Sequence, residues 1–297
     1  MKDWIVAARL RTLPLAIACT SMGAFLANFK GHFDWKIYGL LISTTLLLQI
    51  LSNFANDYGD YVNGADLADR QGPSRMVQSG NISAKQMKMA IILFAALSFI
   101  SGILLLYVSL ASISLSFMLF IFFGIAAIYA AISYTAGSNP YGYVGLGDLS
   151  VFIFFGLMAV CGSYFLFSGV VDFLILLPAA TCGFLSVGVL NLNNIRDIES
   201  DQRAGKMTIP VRIGKAASLR YHASLISLAA VSAFSYVAIE QVDIMGYLFV
   251  LTLPLFLYHL RKVYIGAFST GIDPFLKQLA LLTLLFVVVF GIGLALV

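Results

Sequence analysis

Half of the 14 acidic side chains in this 297-residue chain fall in two short runs. One is Asn56-Asp57-Tyr58-Gly59-Asp60, with Asp66 and Asp69 close behind; the other is Asn193-Asn194-Ile195-Arg196-Asp197-Ile198-Glu199-Ser200-Asp201. On a helix end Asn56 and Asp60, four apart, share a face, as do Asp57 and Asp60, three apart, and Asn193 or Asn194, Asp197 and Asp201 repeat the spacing. Hard oxygen donors of this kind suit Mg²⁺, which takes one or two carboxylates and leaves its other positions to water and phosphate oxygens. Two such clusters facing each other would bracket a magnesium diphosphate, with Asn56, Asp57, Asp60, Asn194, Asp197 and Asp201 as candidate metal ligands. A single loop carboxylate would read instead as a solvated partner of Arg70, Arg75, Arg196 or Arg203. Two clusters of matched composition at matched helix ends favour metal.

Cations of the right type stand beside the acids. Arg75 lies in Gly72-Pro73-Ser74-Arg75-Met76-Val77-Gln78-Ser79-Gly80 and Lys206 in Gly205-Lys206-Met207-Thr208. Arg grips phosphate as a bidentate fork and Lys as a point charge. Arg75 and Lys206 are therefore the candidate diphosphate ligands, and Gln78 and Arg196 join them as candidate substrate-binding residues. Arg212, Lys215 and Arg220 read as topology signals. A third polar island, Tyr134 to Asp148, contains no Lys or Arg but carries three tyrosines and several glycines. It suits a pocket for a polar aromatic molecule, with Asp148 and Tyr134 as candidates for positioning it; a turn beside a membrane aromatic belt would have the same composition.

The elements that hold these residues must be membrane helices. The chain is 60% hydrophobic and 11% charged, with a mean hydropathy of +0.93, which fits no ordinary soluble domain. Apolar runs of spanning length lie at about 13–29, 37–56, 88–108, 112–132, 148–168, 171–191, 220–239, 244–260 and 277–297. They are too long and too continuously apolar for barrel strands, and open sheet edges do not survive in lipid. The expected fold is all-α: nine transmembrane helices in a polytopic protein, 1-297 forming a single domain. The first run follows Lys2, Arg9 and Arg11 but exceeds a signal h-region and lacks a cleavage site, so it counts as helix one. Trp4, Ile5, Val6 and Leu10 ahead of it suit a short interfacial helix.

Nine spans separate 16 of the 18 Lys and Arg residues onto the face that holds the N-terminus, leaving only Lys30 and Lys36 on the other. By the positive-inside rule the N-terminus and both acidic clusters are cytoplasmic. The basic residues thus set topology, and the net charge of +4 implies no nucleic-acid partner. The clusters recur four helices apart, which hints at an internal repeat. Cys19, Cys161 and Cys182 fall inside apolar runs and read as buried hydrophobes. His32, His222 and His259 are isolated in sequence and are assigned no chemistry.

These motifs together resemble the UbiA family of intramembrane prenyltransferases, most closely its branch acting on 1,4-dihydroxy-2-naphthoate. The likeness runs nearly end to end and rests on Asn56-Asp57-x-x-Asp60 with Gly64-x-Asp66, the Gly72 to Gly80 stretch, Tyr134-Thr135 with Gly145-Leu146-Gly147-Asp148, and Asn194-x-x-Asp197-x-x-x-Asp201 with Gly205-Lys206-x-Thr208. The resemblance implies nine helices around a central cavity, with Mg²⁺ and a polyprenyl diphosphate held by the two Asp-rich motifs beneath cytoplasmic loops. The broader family often has a third Asp where this chain has Gly64, so Asp66 matches that pattern less well. The implied reaction is prenyl transfer to 1,4-dihydroxy-2-naphthoate with loss of diphosphate and carbon dioxide, giving demethylmenaquinone. It would take place in the bacterial cytoplasmic (inner) membrane with the prenyl tail running out into the lipid bilayer. Family members acting on 4-hydroxybenzoate or other acceptors are the near alternative. A secondary transporter is the distant one, since its coupling sites belong at the bilayer midplane rather than at one interface.

Overall fold

The computed structural model describes residues 1–64, 75–110, 112–269 and 271–297. Asp66, Asp69, Arg70 and the stretch from Gly72 to Ser74 lie outside the described residues. Among the described residues nine helices are long and apolar enough to cross a membrane: α1 Lys2–Phe29, α2 Trp35–Val62, α3 Ala84–Leu110, α4 Leu115–Ser133, α5 Gly147–Ser168, α6 Phe173–Arg196, α7 Lys215–Ile239, α8 Ile244–Ala267 and α9 Asp273–Ala295. The protein is an all-helical integral membrane protein. Helices are what an apolar run must form in lipid, because only they satisfy every backbone N–H and C=O within the segment.

Helix starts follow local chemistry. Asp34 caps α2 by accepting from the Lys36 and Ile37 amides at 2.6 and 3.2 Å, and Ser114 caps α4 by accepting from the Phe117 amide at 3.2 Å. Two ends differ from the sequence expectation. α2 continues to Val62 and α6 to Arg196, so both acidic motifs begin inside the last turns of helices. Hydropathy falls where the polar residues begin, but those side chains find partners inside the bundle, so the helix has no reason to stop.

α1 is interrupted. A first helix, Lys2–Ala7, ends before Arg9, which takes a left-handed conformation with φ 49°. Asn53 of α2 fixes this break by donating to the Ala8 carbonyl at 2.9 Å and to the Thr12 hydroxyl at 3.0 Å. Trp4 packs edge-on against Phe54, with ring centroids 5.6 Å apart. The N-terminal segment is thereby docked on α2.

The main core lies among α1 and α5 to α9, with Tyr236, Phe249, Phe286 and Phe290 fully buried. α5 carries a ten-residue π-helical stretch, Phe152–Cys161, an uncommon form often found at functional sites. Two of the histidines that are isolated in sequence meet in the fold. His222 and His259, 37 positions apart, place their Nε2 atoms 3.3 Å from each other, and His259 Nδ1 lies 2.9 Å from Gln278 Oε1. Helix packing makes a buried polar cluster of residues that the chain separates.

Candidate active site

The last turns of α2 present Gln49, Asn53, Asn56 and Asp60 at intervals of four, three and four residues, which is one helix face. Within this run Gly59 is a contact requirement. A Cβ there would lie 2.5 and 2.6 Å from the carbonyl carbon and hydroxyl of Thr135 and 2.7 Å from the Ala136 nitrogen, so only glycine lets the segment after α4 approach α2 this closely. That approach is fastened by Thr135 Oγ1, 3.2 Å from the Ala55 carbonyl and 3.1 Å from Asn56 Oδ1, and by Asn63 Nδ2 donating to the Thr135 carbonyl at 2.8 Å.

Asp60 is buried at 2% exposure and is the hub of the site. Its carboxylate pairs with the Arg75 guanidinium, accepts from Lys206 Nζ at 2.9 Å and accepts from the Tyr143 hydroxyl at 3.1 Å. Lys206 also sits over the Tyr143 ring, 4.7 Å from its centroid, and lies 4.0 Å from Asp201. Two connections meet here. The Met207 amide donates to the Tyr143 carbonyl at 2.8 Å, and Arg212 ties both segments by donating to the Met207 and Val144 carbonyls at 3.0 and 2.8 Å. Arg212 therefore makes a defined contact as well as adding charge.

The second cluster is organised around Arg196. This guanidinium is forked onto Asp197, with Nε at 2.7 Å and Nη2 at 2.6 Å, and it also reaches Asn193 Oδ1 at 2.9 Å and Asp273 Oδ1 at 2.5 Å. Asp273, at the start of α9, receives Arg11 Nη1 as well, at 3.0 and 3.2 Å.

Both clusters open on one polar pocket of about 170 Å³. Asn56, Asp60, Asn194, Asp197 and Asp201 line it together with Arg75, Lys206 and Tyr134. A larger apolar pocket of about 390 Å³ adjoins it among α1 to α5, and Gln49, Asn53, Asn56, Tyr134, Val151, Phe155 and Leu190 line both. A polar chamber thus leads into an apolar one.

Four expected site residues are not among those lining either pocket; one is Arg196, whose contacts are with Asn193, Asp197 and Asp273. Asp57 is 1% exposed and accepts from the Met76 and Val77 amides at 3.0 and 3.1 Å, which anchors the turn after Arg75. Gln78 is exposed on that turn. Asp148 accepts from the Tyr221 hydroxyl at 2.9 Å and so braces α5 against α7. Tyr134 does line both pockets. Burial, followed by the nearby Tyr141 and carboxylates, pushes its phenol well above the ordinary tyrosine range, so it remains a neutral hydroxyl.

The pocket also holds Arg9, Arg11, Thr12, Asn53, Ser186 and Lys277, which the sequence reading passed over. A signal for Asn53 existed, since Gln49, Asn53, Asn56 and Asp60 form a polar helical stripe in an apolar span. Arg9, Arg11 and Lys277 gave none, because flanking cations look the same whether they face lipid headgroups or a pocket. Among the described residues no three His, Cys, Asp or Glu side chains form a ready-made cage. The oxygen donors facing the polar pocket nonetheless fit Mg²⁺ shared with phosphate, which needs few protein ligands.

The sequence profile of the UbiA prenyltransferase family matches residues 16–275. A Haemophilus influenzae protein named 1,4-dihydroxy-2-naphthoate octaprenyltransferase is 44% identical, over 99% of this chain and 96% of its own length. An Escherichia coli protein of the same name is 43% identical, over 96% and 93%. Among solved structures, a UbiA homologue from Aeropyrum pernix superposes with a TM-score of 0.71 at 16% identity, over 97% of this chain and 98% of its own. A homologue from Archaeoglobus fulgidus, solved with GPP and Mg²⁺ bound, gives 0.65 at 17% identity, over 98% and 100%. At these identities the structural likeness speaks for the fold.

Proposed function

This chain belongs to the UbiA prenyltransferase family, and we propose that it transfers a polyprenyl group from a polyprenyl diphosphate to 1,4-dihydroxy-2-naphthoate, releasing diphosphate and carbon dioxide. The names of its near full-length relatives support the acceptor. The observation that carries the reading is the junction of the two pockets. Carboxylates and cations for a diphosphate line one, hydrocarbon for a prenyl tail lines the other, and Tyr134 stands between them.

In this reading Asn56, Asp60, Asn194, Asp197 and Asp201 hold Mg²⁺, which when bound supplies Lewis-acid neutralisation of the diphosphate. Asp57 serves the site by fixing the turn that carries Arg75. Arg75 and Lys206, which neutralise Asp60 in the structure, turn to the phosphate oxygens and stabilise the departing charge. The faces of Tyr134 and Phe155 at the junction shelter the allylic cation, and the apolar pocket keeps water from it. Tyr134 holds its proton and donates a hydrogen bond to the acceptor ring's oxygen, orienting it for carbon attack. The tail runs along α2 to α5 and leaves between Phe99 and Phe123, which line the apolar pocket and are also exposed on the outside of the bundle. The partition of Lys and Arg residues supports a cytoplasmic site in the inner membrane, with 1–297 acting as one domain.

The test is Mg²⁺-dependent transfer from a labelled polyprenyl diphosphate in membranes containing the protein, offering 1,4-dihydroxy-2-naphthoate and 4-hydroxybenzoate side by side. Prenylation of the naphthoate alone is expected. Transfer to 4-hydroxybenzoate alone would move the assignment to another acceptor, and transfer to neither by folded protein would end it.

A further inference from the structure

We propose that Asp273 is a positioning residue that draws Arg196 away from Asp197 so that the second acidic cluster can take a divalent cation. The inference rests on the metal-binding reading above. Arg196 is the immediate obstacle to that reading, because its Nε and Nη2 occupy both oxygens of Asp197 at 2.7 and 2.6 Å. The guanidinium is 2% exposed, so it is not competed for by water and needs a carboxylate wherever it goes. Asp273 is the other carboxylate it already touches, with Nη1 at 2.5 Å from Oδ1.

The rest of the geometry suits a fixed anchor. Asp273 opens α9 in its first turn, where the positive end of the helix stabilises a carboxylate. Arg11 grips it through Nη1, at 3.0 Å from one oxygen and 3.2 Å from the other. Neither Arg11 nor Asp273 belongs to an acidic motif, yet together they decide how strongly Arg196 is held from behind. When a cation arrives at Asp197, Arg196 rotates about its fork and keeps Asp273 as its partner, so the site gains a metal without leaving a buried charge unpaired.

The test measures Mn²⁺ affinity by electron paramagnetic resonance on the full-length protein in detergent, without substrate. Asp273→Asn should bind Mn²⁺ roughly tenfold more weakly, the scale of coupling within one salt-bridge network, because Asp197 is then the one carboxylate among the described residues that Arg196 touches. Arg196→Gln should bind at least as tightly as the wild type. In the Arg196→Gln background, adding Asp273→Asn should change affinity by less than about twofold. Asp273→Glu keeps the carboxylate and should retain most of the affinity, which separates positioning from misfolding. An equal loss in both backgrounds would mean that Asp273 acts only as a distant negative charge, and no loss in either would mean that it does not act on the site; both overturn the proposal. A wild-type protein that binds no Mn²⁺ would instead overturn the metal reading itself.

Discussion

Lys206 Nζ lies 2.9 Å from Asp60 Oδ1, although 146 residues separate them in sequence. With Arg75 on the other oxygen, Asp60 carries two internal counter-ions. An acidic motif in a membrane protein must be neutralised in every state, because an unpaired buried carboxylate is costly. In the proposed mechanism the same two cations, Arg75 and Lys206, serve the diphosphate.

Removing that carboxylate should damage chemistry and stability separately. Asp60→Asn is expected to lower prenyl transfer by at least about 100-fold, the scale for losing a group that organises transition-state charge. It should also destabilise the protein, since Arg75 and Lys206 lose the carboxylate they share. Asp60→Asn with Lys206→Gln should recover part of the thermal stability in detergent and none of the activity. Recovery of activity would mean that Asp60 serves only to balance charge.

Gly59→Ala adds one methyl group against the Thr135 backbone, which is not a flexible side chain and cannot move aside alone. A loss of about 1–3 kcal/mol is expected, with reduced transfer because the same contact sets Asn56 and Tyr134. Gly124→Ala is the matched control, since nothing lies within 4 Å of its added Cβ. Equal thermal stability for the two variants would contradict the packing argument.

Tyr134 is held neutral by burial, with its phenol raised above the ordinary range. A raised phenol pKa keeps the hydroxyl protonated as pH rises through 10, so this residue should place no limb in the rate profile near the ordinary tyrosine pKa. Tyr134→Phe should lower kcat by about 10 to 100-fold and leave the shape of the pH profile unchanged. A profile whose alkaline limb disappears in the variant would show that the phenol ionises during turnover.

The apolar pocket ends at Leu41, Leu105, Leu106 and Leu166, buried against one another. Leu41 lies 15 residues before Asn56 on α2, which at 1.5 Å per residue puts this floor about 22 Å from Asn56. Gly124 faces the same pocket with open space around it. Gly124→Phe should shift preference toward shorter prenyl diphosphates in a competition assay, without changing the acceptor. Unchanged chain-length preference would place the tail elsewhere.

His222 and His259 meet at 3.3 Å and lie outside both pockets. His259→Ala should cost about 2–4 kcal/mol, as expected for removing a buried side chain and orphaning its partners. Turnover per folded molecule should stay within about twofold of the wild type. A large loss of turnover with stability intact would give the pair a role in the reaction.

The chain by itself determined the class of structure and the chemistry of its ends. Continuously apolar runs of this length form helices in lipid, and Asn56, Asp60, Asn194, Asp197 and Asp201 are legible because polar and acidic side chains beside such runs need a reason to be there. Local spacing cannot say which polar group meets which. Tertiary structure alone decided that Asp57 turns to two backbone amides, that Asp148 braces α7, and that Arg9, Arg11 and Lys277 enter the pocket. It also paired His222 with His259 and set Asp273 behind Arg196. In each case the partner lies on another segment of the chain, and which segment faces which is settled by packing over the whole bundle, where small residues such as Gly59 fix how closely backbones approach.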